Sequence, residues 1–193
     1  MKKFLFMVCS VLMATTMLAF SGCATGKSKP GTNIINFMVE GEVWQSLELG
    51  EITELPVPNK QYCDFAGWYL DDNKIELNDL SGGGSLYAKF TLNSRYECLE
   101  VLSDSMQPTM YKGDYIIIDT EAAEFEVEDI IVFKLSELAK PVAHRIIAID
   151  GVNYITKGDA NASPNAETVT ASQIIGLVCE NIGTTIPDDI IVE

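Results

Sequence analysis

Basic residues are scarce in this chain, and histidine occurs once. The sequence has 13 Lys and Arg against 28 Asp and Glu, which gives a net charge of −15. This balance excludes nucleic acid as a partner bound through a basic surface, and it excludes a basic patch for anionic lipid. The five cysteines and single histidine show no metal-ligand spacing. We therefore expect neither a metal site nor a cofactor.

Strong amphipathic helices are also missing from the folded part of the sequence. Short runs rich in Ile, Val and Tyr alternate instead with polar turns, which is typical of strands. Strands are predicted at residues 96–102, 115–119, 130–135, 143–149, 154–157 and 174–180, and upstream at 34–39, 56–58 and 86–90. The predicted fold class is mainly β, in a C-terminal domain of residues 93–193 preceded by a smaller unit of residues 33–92.

The N-terminus has the pattern of an export signal. Lys2 and Lys3 precede 17 mostly apolar residues, 4–20, and small residues lead to Cys23. This end resembles a lipobox, which implies removal of residues 1–22 and diacylation of Cys23. The alternative is an uncleaved anchor helix, for which 17 residues is near the lower limit. Residues 23–32 are small and polar and predict a flexible tether. We expect a bacterial protein held at the outer face of the cell membrane.

Three cysteines would remain besides Cys23 after processing. An odd number cannot all pair within one molecule. Cys98 and Cys179 lie on the predicted first and last strands of the C-terminal domain, so a disulfide between them is one alternative. The other, which we favour, is that these cysteines and Cys63 are small buried apolar side chains.

Three segments of the C-terminal domain contain the side chains of a serine hydrolase. Segment 103–109 contains Ser105, segment 142–147 contains His144, and segment 157–161 contains Asp159. A serine hydroxyl needs a neighbouring base to take its proton, and the base needs a third group to orient it. Each segment alone also fits a plain structural role, as a turn, a packed side chain or a loop. The combination favours the catalytic interpretation.

The same segments match a known motif series. Ser-x-Ser-Met-x-Pro-Thr, Gly-Asp, His-Arg-Ile and Lys-Gly-Asp-x-Asn, in this order, resemble the type I signal peptidases of the endoplasmic-reticulum-like branch. The resemblance covers roughly residues 97–183. It implies that Ser105 is the nucleophile, His144 the general base and Asp159 the third essential residue. It also implies an oxyanion hole formed by the Ser103 hydroxyl and the Ser105 amide.

Two positions depart from that family pattern. Glu128 precedes Asp129 where the family usually has glycine, and Asn165 stands where many members have a second aspartate. Self-cleaving peptidases of the phage-repressor type share the Ser-Met-x-Pro-Thr segment, but they use a lysine base at the position of His144 and carry an upstream helix-turn-helix pattern, which this chain lacks. The signal-peptidase interpretation is therefore preferred.

Residues 33–92 resemble a second family. Phe65-x-Gly67-Trp68-Tyr69 followed by Leu86-Tyr87-Ala88-Lys89 is similar to the Listeria–Bacteroides repeat, a small β-grasp-like module of bacterial surface proteins. The resemblance implies a spacer or adhesion module. Aromatic residues at the centre of a small domain usually form its core, so we expect this for Trp68 and Tyr69.

Together these patterns predict a membrane-tethered, extracytoplasmic serine endopeptidase. Its expected substrates are exported proteins or signal peptides, cut after small residues. The alternative is a surface lipoprotein with an inactive peptidase fold that serves as a binding or scaffold module. The sequence predicts no oligomeric state.

Overall fold

The computed structural model describes residues 33–136, 139–162 and 166–191, which form two β-sheets. The signal residues 1–22, the tether of residues 23–32 with Cys23, and Asn165 lie outside the described residues. Within the described ranges, short 3₁₀ turns are the only helical elements, and no helix is long and apolar enough to cross a membrane. The mainly β fold class is confirmed.

The first sheet has strand order β2-β1-β5-β3-β4, with β13 also paired to β5. Its strands are β1 (Ile34–Val39), β2 (Glu42–Glu48), β3 (Cys63–Leu70), β4 (Asn73–Ile75), β5 (Gly84–Leu92) and β13 (Ile190–Ile191). The core of this sheet includes Phe37, Trp68 and Phe90, all fully buried. The expected core position is confirmed for Trp68, whereas Tyr69 is only partly buried and is not part of this core. Residues 56–58 form no strand; instead the Pro56 carbonyl accepts a hydrogen bond from Trp68 Nε1 at 2.7 Å.

The second sheet is antiparallel throughout, in the order β11-β10-β9-β8-β12-β7-β6. Its strands are β6 (Tyr96–Glu100), β7 (Tyr115–Asp119), β8 (Ile130–Phe133), β9 (Val142–Asp150), β10 (Asn153–Lys157), β11 (Glu167–Thr170) and β12 (Ile174–Gly183). Two clusters of buried side chains pack on it, one around Met106, Met110 and Ile118, the other around Phe133, Ile146 and Val169.

The three cysteines of the described residues are free, so the alternative of a disulfide between Cys98 and Cys179 is wrong. Strand β7 lies between β6, which carries Cys98, and β12, which carries Cys179. Strands two positions apart are separated by roughly 9–10 Å, and a disulfide needs Cα atoms within about 7 Å. Burial raises the pKa of all three thiols, as expected for cysteines that pack as apolar side chains.

Candidate active site

Ser105 lies on a turn that two buried methionines hold against the second sheet. Met106 and Met110 are each 1% exposed, and the amides of Thr109 and Met110 both donate to the Met106 carbonyl, at 2.8 and 3.1 Å. Val101, which precedes the turn, exchanges backbone hydrogen bonds with Gly113 and Asp114. A polar turn between buried anchors leaves the serine in a defined position at the protein surface.

His144 is the third residue of β9 and is 4% exposed. Alternation along the strand places His144 and Ile146 on the buried face. Its ring packs edge-on against Phe133 of the neighbouring strand β8, with centroids 6.1 Å apart. The predicted strand at residues 143–149 already placed His144 near the start of a strand, and this position is confirmed. Burial on this face of the sheet and the contact with Phe133 therefore restrict the orientation of the imidazole ring.

The imidazole bridges a hydroxyl and a carboxylate. His144 Nε2 lies 3.3 Å from Ser105 Oγ, and His144 Nδ1 lies 2.9 Å from Glu167 Oε2. An ionised carboxylate can only accept, so Nδ1 carries the hydrogen and donates it to Glu167. Nε2 is then the acceptor for the Ser105 hydroxyl. This order of nucleophile, base and orienting acid is the one a serine hydrolase requires.

Asp159 forms no hydrogen bond with His144 within the described residues, so the prediction that it orients the imidazole needs correction. Its carboxylate accepts hydrogen bonds from Arg145 Nε at 2.9 Å and Arg145 Nη2 at 2.8 Å. The Thr109 hydroxyl donates to the same carboxylate. Arg145 follows His144 in β9, and successive side chains of a strand point to opposite faces. A carboxylate paired with Arg145 is therefore directed away from the imidazole.

The ion pair fixes the charge of Asp159 and holds the serine turn. Hydrogen bonding to Arg145 is the main cause that lowers the pKa of Asp159. Thr109 belongs to the Ser105 turn, and the amide of Ala160 donates to the Ser105 carbonyl at 2.9 Å. Both contacts join segment 157–161 to that turn. Asp159 thus has a positioning role in the structure.

Glycine is needed at position 158 because this segment passes close to Ser105 and His144. A Cβ atom built there would lie 2.5 Å from the Ser105 carbonyl oxygen and 2.9 Å from His144 Nε2. Real Cβ atoms essentially never approach so closely. The Lys-Gly-Asp segment therefore contributes a close backbone approach as well as the Asp159 carboxylate.

Ser103, the predicted oxyanion donor, lies beside the nucleophile. Its Oγ is 3.2 Å from Ser105 Oγ. The Ser105 hydrogen is directed to His144, so the Ser103 hydroxyl is the donor in this pair. Asp104 lies between them and accepts from Gln107 Nε2 at 2.8 Å, which braces the turn.

Glu128 adopts a backbone conformation that usually requires the glycine found at this position in the family pattern. Its φ is 85°, in the region that favours glycine. The turn is held because the Glu128 amide donates to the Ile146 carbonyl at 2.9 Å and Arg145 Nη1 donates to the Glu128 carbonyl at 2.8 Å. These hydrogen bonds therefore hold Glu128 in a strained backbone conformation.

Glu167 is the site residue that the sequence analysis missed. The family pattern directed attention to position 165, whereas the carboxylate on the imidazole is that of Glu167, at the start of β11. The available signal was an acidic residue two positions beyond Asn165. No group of three or more potential metal ligands occurs among the described residues.

A serine hydroxyl, a buried histidine and a carboxylate in hydrogen-bonding order define the serine-hydrolase class of site. Residues 77–179 match the family described as Peptidase S24-like. The chain belongs to this family. The match begins inside the first sheet and includes Ser105, His144 and Glu167.

Curated relatives give a closer similarity. The chain is 38% identical over 88 residues to the signal peptidase complex catalytic subunit sec11 of Dictyostelium discoideum. This alignment covers 39% of this chain and 49% of the relative. The corresponding subunit of Pyrenophora tritici-repentis is 31% identical over 78 residues, with 38% and 45% covered. The subunit of Scheffersomyces stipitis is 34% identical over 74 residues, with 36% and 45% covered. The chain thus spans about half the length of these relatives. The matched part of the chain is therefore similar to signal peptidase catalytic subunits and lies within a chain of the Peptidase S24-like family.

Proposed function

We propose that this protein is a serine endopeptidase that cleaves exported proteins after small residues, at the outer face of the membrane to which it is tethered. The observation that carries the proposal is the position of His144, between Ser105 Oγ at 3.3 Å and Glu167 Oε2 at 2.9 Å. The relatives are named as signal peptidase complex catalytic subunits, and this supports the choice of substrate.

In the proposed mechanism, Ser105 Oγ attacks the carbonyl carbon of the scissile peptide bond while its proton moves to His144 Nε2. Glu167 accepts from Nδ1, which keeps the ring oriented and stabilises the imidazolium that forms. The C–N bond then breaks, and His144 returns the proton to the leaving amine. Water, deprotonated by the same nitrogen, hydrolyses the acyl-enzyme and releases Ser105.

Two donors near Ser105 are proposed to hold the oxyanion. They are the Ser105 amide and the Ser103 hydroxyl, which lies 3.2 Å from the nucleophilic oxygen. Loss of one such donor typically costs about 2.7–4 kcal/mol of transition-state stabilisation. The Ser103 hydroxyl can rotate from Ser105 Oγ to the developing oxyanion without movement of the backbone.

Membrane attachment is proposed through Cys23 and the tether of residues 23–32, with residues 33–92 as a spacer and residues 93–193 as the catalytic domain. The basis is the sequence of residues 1–23: a basic start, an apolar run and small residues before the cysteine. Incorporation of labelled fatty acid into the wild type, and its absence from Cys23→Ser, is the expected result. Equal labelling of both proteins would refute acylation at Cys23.

The peptidase proposal is tested by reaction of the purified protein with an acylating serine probe. Mass spectrometry should locate one adduct on Ser105 in the wild type, and Ser105→Ala should abolish it. Ser81→Ala, at an exposed serine in the loop before β5, is the matched control and should label like the wild type. An unlabelled wild type that also fails to cleave a signal-peptide substrate would favour the inactive binding module.

A further inference from the structure

One buried hydroxyl next to the active site has no role in the mechanism above. Thr156 lies on β10 and is 0% exposed. Its Oγ1 donates to Glu167 Oε2 at 3.4 Å, the only hydrogen bond of this hydroxyl found within the described residues. Oε2 is also the atom that accepts from His144 Nδ1. The hydroxyl therefore extends the chain of hydrogen bonds behind the imidazole by one member.

The backbone fixes this contact. Thr156 and Glu167 face each other as cross-strand partners in the antiparallel pair β10–β11, and Thr156 pairs on its other side with Ile146 of β9. Side chains directly opposite in such a pair lie about 4.5–5.5 Å apart at Cβ. A threonine is also restricted at χ1 because of its branched Cβ. Thr156 thus presents a donor of restricted orientation to the Glu167 carboxylate.

Glu167 needs such a donor more than an aspartate would. Its side chain has an additional methylene group and is 27% exposed, so without a second partner the carboxylate could rotate away from Nδ1 towards solvent. A donor on the same oxygen restricts this rotation. A buried hydroxyl without its acceptor would also be unfavourable, so the contact is stabilising for both partners.

We propose that Thr156 is a positioning residue of the peptidase, acting through Glu167 to hold His144 in its productive tautomer and orientation. This proposal rests on the proposed function for its kinetic consequence. Its structural part concerns the Nδ1 hydrogen bond of His144 and can be measured without any substrate.

The test compares Thr156→Val, which removes the hydroxyl and keeps the shape, with Thr156→Ser, which keeps the hydroxyl. We expect Thr156→Val to lower kcat about tenfold with little change in KM, the size expected from one hydrogen bond to a charged group. Thr156→Ser should retain most of the activity. Thr168→Val is the matched control, because Thr168 is exposed on β11 and pairs with Ile155; it should match the wild type.

Nuclear magnetic resonance of the imidazole provides the second readout, and it is unambiguous because the chain has one histidine. In Thr156→Val the proton on Nδ1 should exchange faster with water than in the wild type, in Thr156→Ser or in Thr168→Val. If the valine variant does not fold, Thr156→Ser is compared with Thr156→Ala, since both lose the methyl group and one keeps the hydroxyl.

The outcomes separate the two proposals. A wild type without peptidase activity, combined with faster Nδ1–H exchange in Thr156→Val, would refute the proposed function and support the positioning role. Wild-type exchange and kcat in Thr156→Val would overturn the positioning role. A Thr156→Ser variant as impaired as the hydroxyl-free variant would also overturn it, because packing would then explain the loss.

Discussion

Two carboxylates close to Ser105 and His144 have different partners and therefore different tasks. Glu167 contacts the imidazole, and Asp159 contacts Arg145 and Thr109. The Asp159 and Arg145 side chains are 18% and 23% exposed, so their charges are largely removed from solvent. Asp159 should consequently matter for the stability of the site, and Glu167 for the chemical step.

The stability that Asp159 contributes should depend on pH. Arg145 lowers the pKa of Asp159 in the folded protein, so the contribution is fully present above the unfolded pKa of about 3.9 and is lost as the pH falls through the folded value. Asp159→Asn should lower the free energy of unfolding by about 1.5–3 kcal/mol at neutral pH. The difference from the wild type should vanish in acid.

Urea unfolding at several pH values measures this effect. Asp150→Asn, at the exposed end of β9, is the control and should differ little from the wild type at any pH. A difference between Asp159→Asn and the wild type that grows on acidification would contradict the assigned ion pair.

At the scale of elements, the turn before β8 is strained and its strain can be relieved. Glu128 has φ of 85°, which costs an L-residue about 1 kcal/mol or more and costs glycine little. Glu128→Gly should therefore raise the free energy of unfolding by about 0.5–1 kcal/mol, after the greater chain entropy of glycine is allowed for. Thermal or urea unfolding would detect the gain.

Glu126→Gly is the control for that change, since Glu126 lies in the same loop and is not among the residues with positive φ. It should be neutral or destabilising, because it adds only freedom to the unfolded chain. Equal effects of the two substitutions would show that φ at position 128 is not the cause.

The elements also show which parts of the fold the sequence could predict. Strands β7, β8, β9 and β12 are dense in Ile and Val and follow the predicted ranges. Five strands were not predicted: β2, β3, β4, β11 and β13. Of these, β2 and β11 carry glutamates and mostly half-exposed or exposed side chains, and so lack a continuous apolar signal. The positions of β2 and β11 depend on their pairing with β1 and β10. A local sequence pattern carries no information about such pairing.

The candidate site, like the fold, was predicted only in part. Ser105 and His144 stand in short motifs, and the structure brings them within hydrogen-bonding distance. The partner of His144 was not predictable, because several carboxylates follow it in the sequence and only the packing of the strands decides which of them reaches the imidazole. Glu167 reaches the imidazole from β11, an element that the sequence did not indicate.

At the scale of the whole described molecule, the last strand joins the two sheets. After β12 leaves the second sheet, β13 pairs in parallel with β5 of the first, and the Phe90 amide donates to the Asp189 carbonyl at 2.8 Å. Lys60 Nζ donates to the Asp189 carboxylate at 2.8 Å, and both side chains are largely buried, 14% and 15% exposed. Residues 189–191 thus complete the sheet formed by residues 34–92.

Asp189→Asn should weaken the attachment of β13 to β5. Lys60 would lose its buried charged partner, so we expect the free energy of unfolding to fall by about 1.5–3 kcal/mol, with faster amide exchange at Phe90. Asp188→Asn, at the neighbouring exposed residue, should leave both quantities unchanged. Unchanged exchange at Phe90 in Asp189→Asn would mean that the ion pair does not hold the strand.

The central claim, that Glu167 rather than Asp159 orients the catalytic histidine, is tested most directly by turnover of one peptide substrate with small residues before the scissile bond. Glu167→Gln should lower kcat by up to about 10⁴, the loss seen when the orienting acid of a comparable triad becomes an amide. Asp159→Asn, measured where it is fully folded, should lose far less. A steep loss in Asp159→Asn together with near wild-type turnover in Glu167→Gln would contradict the assignment.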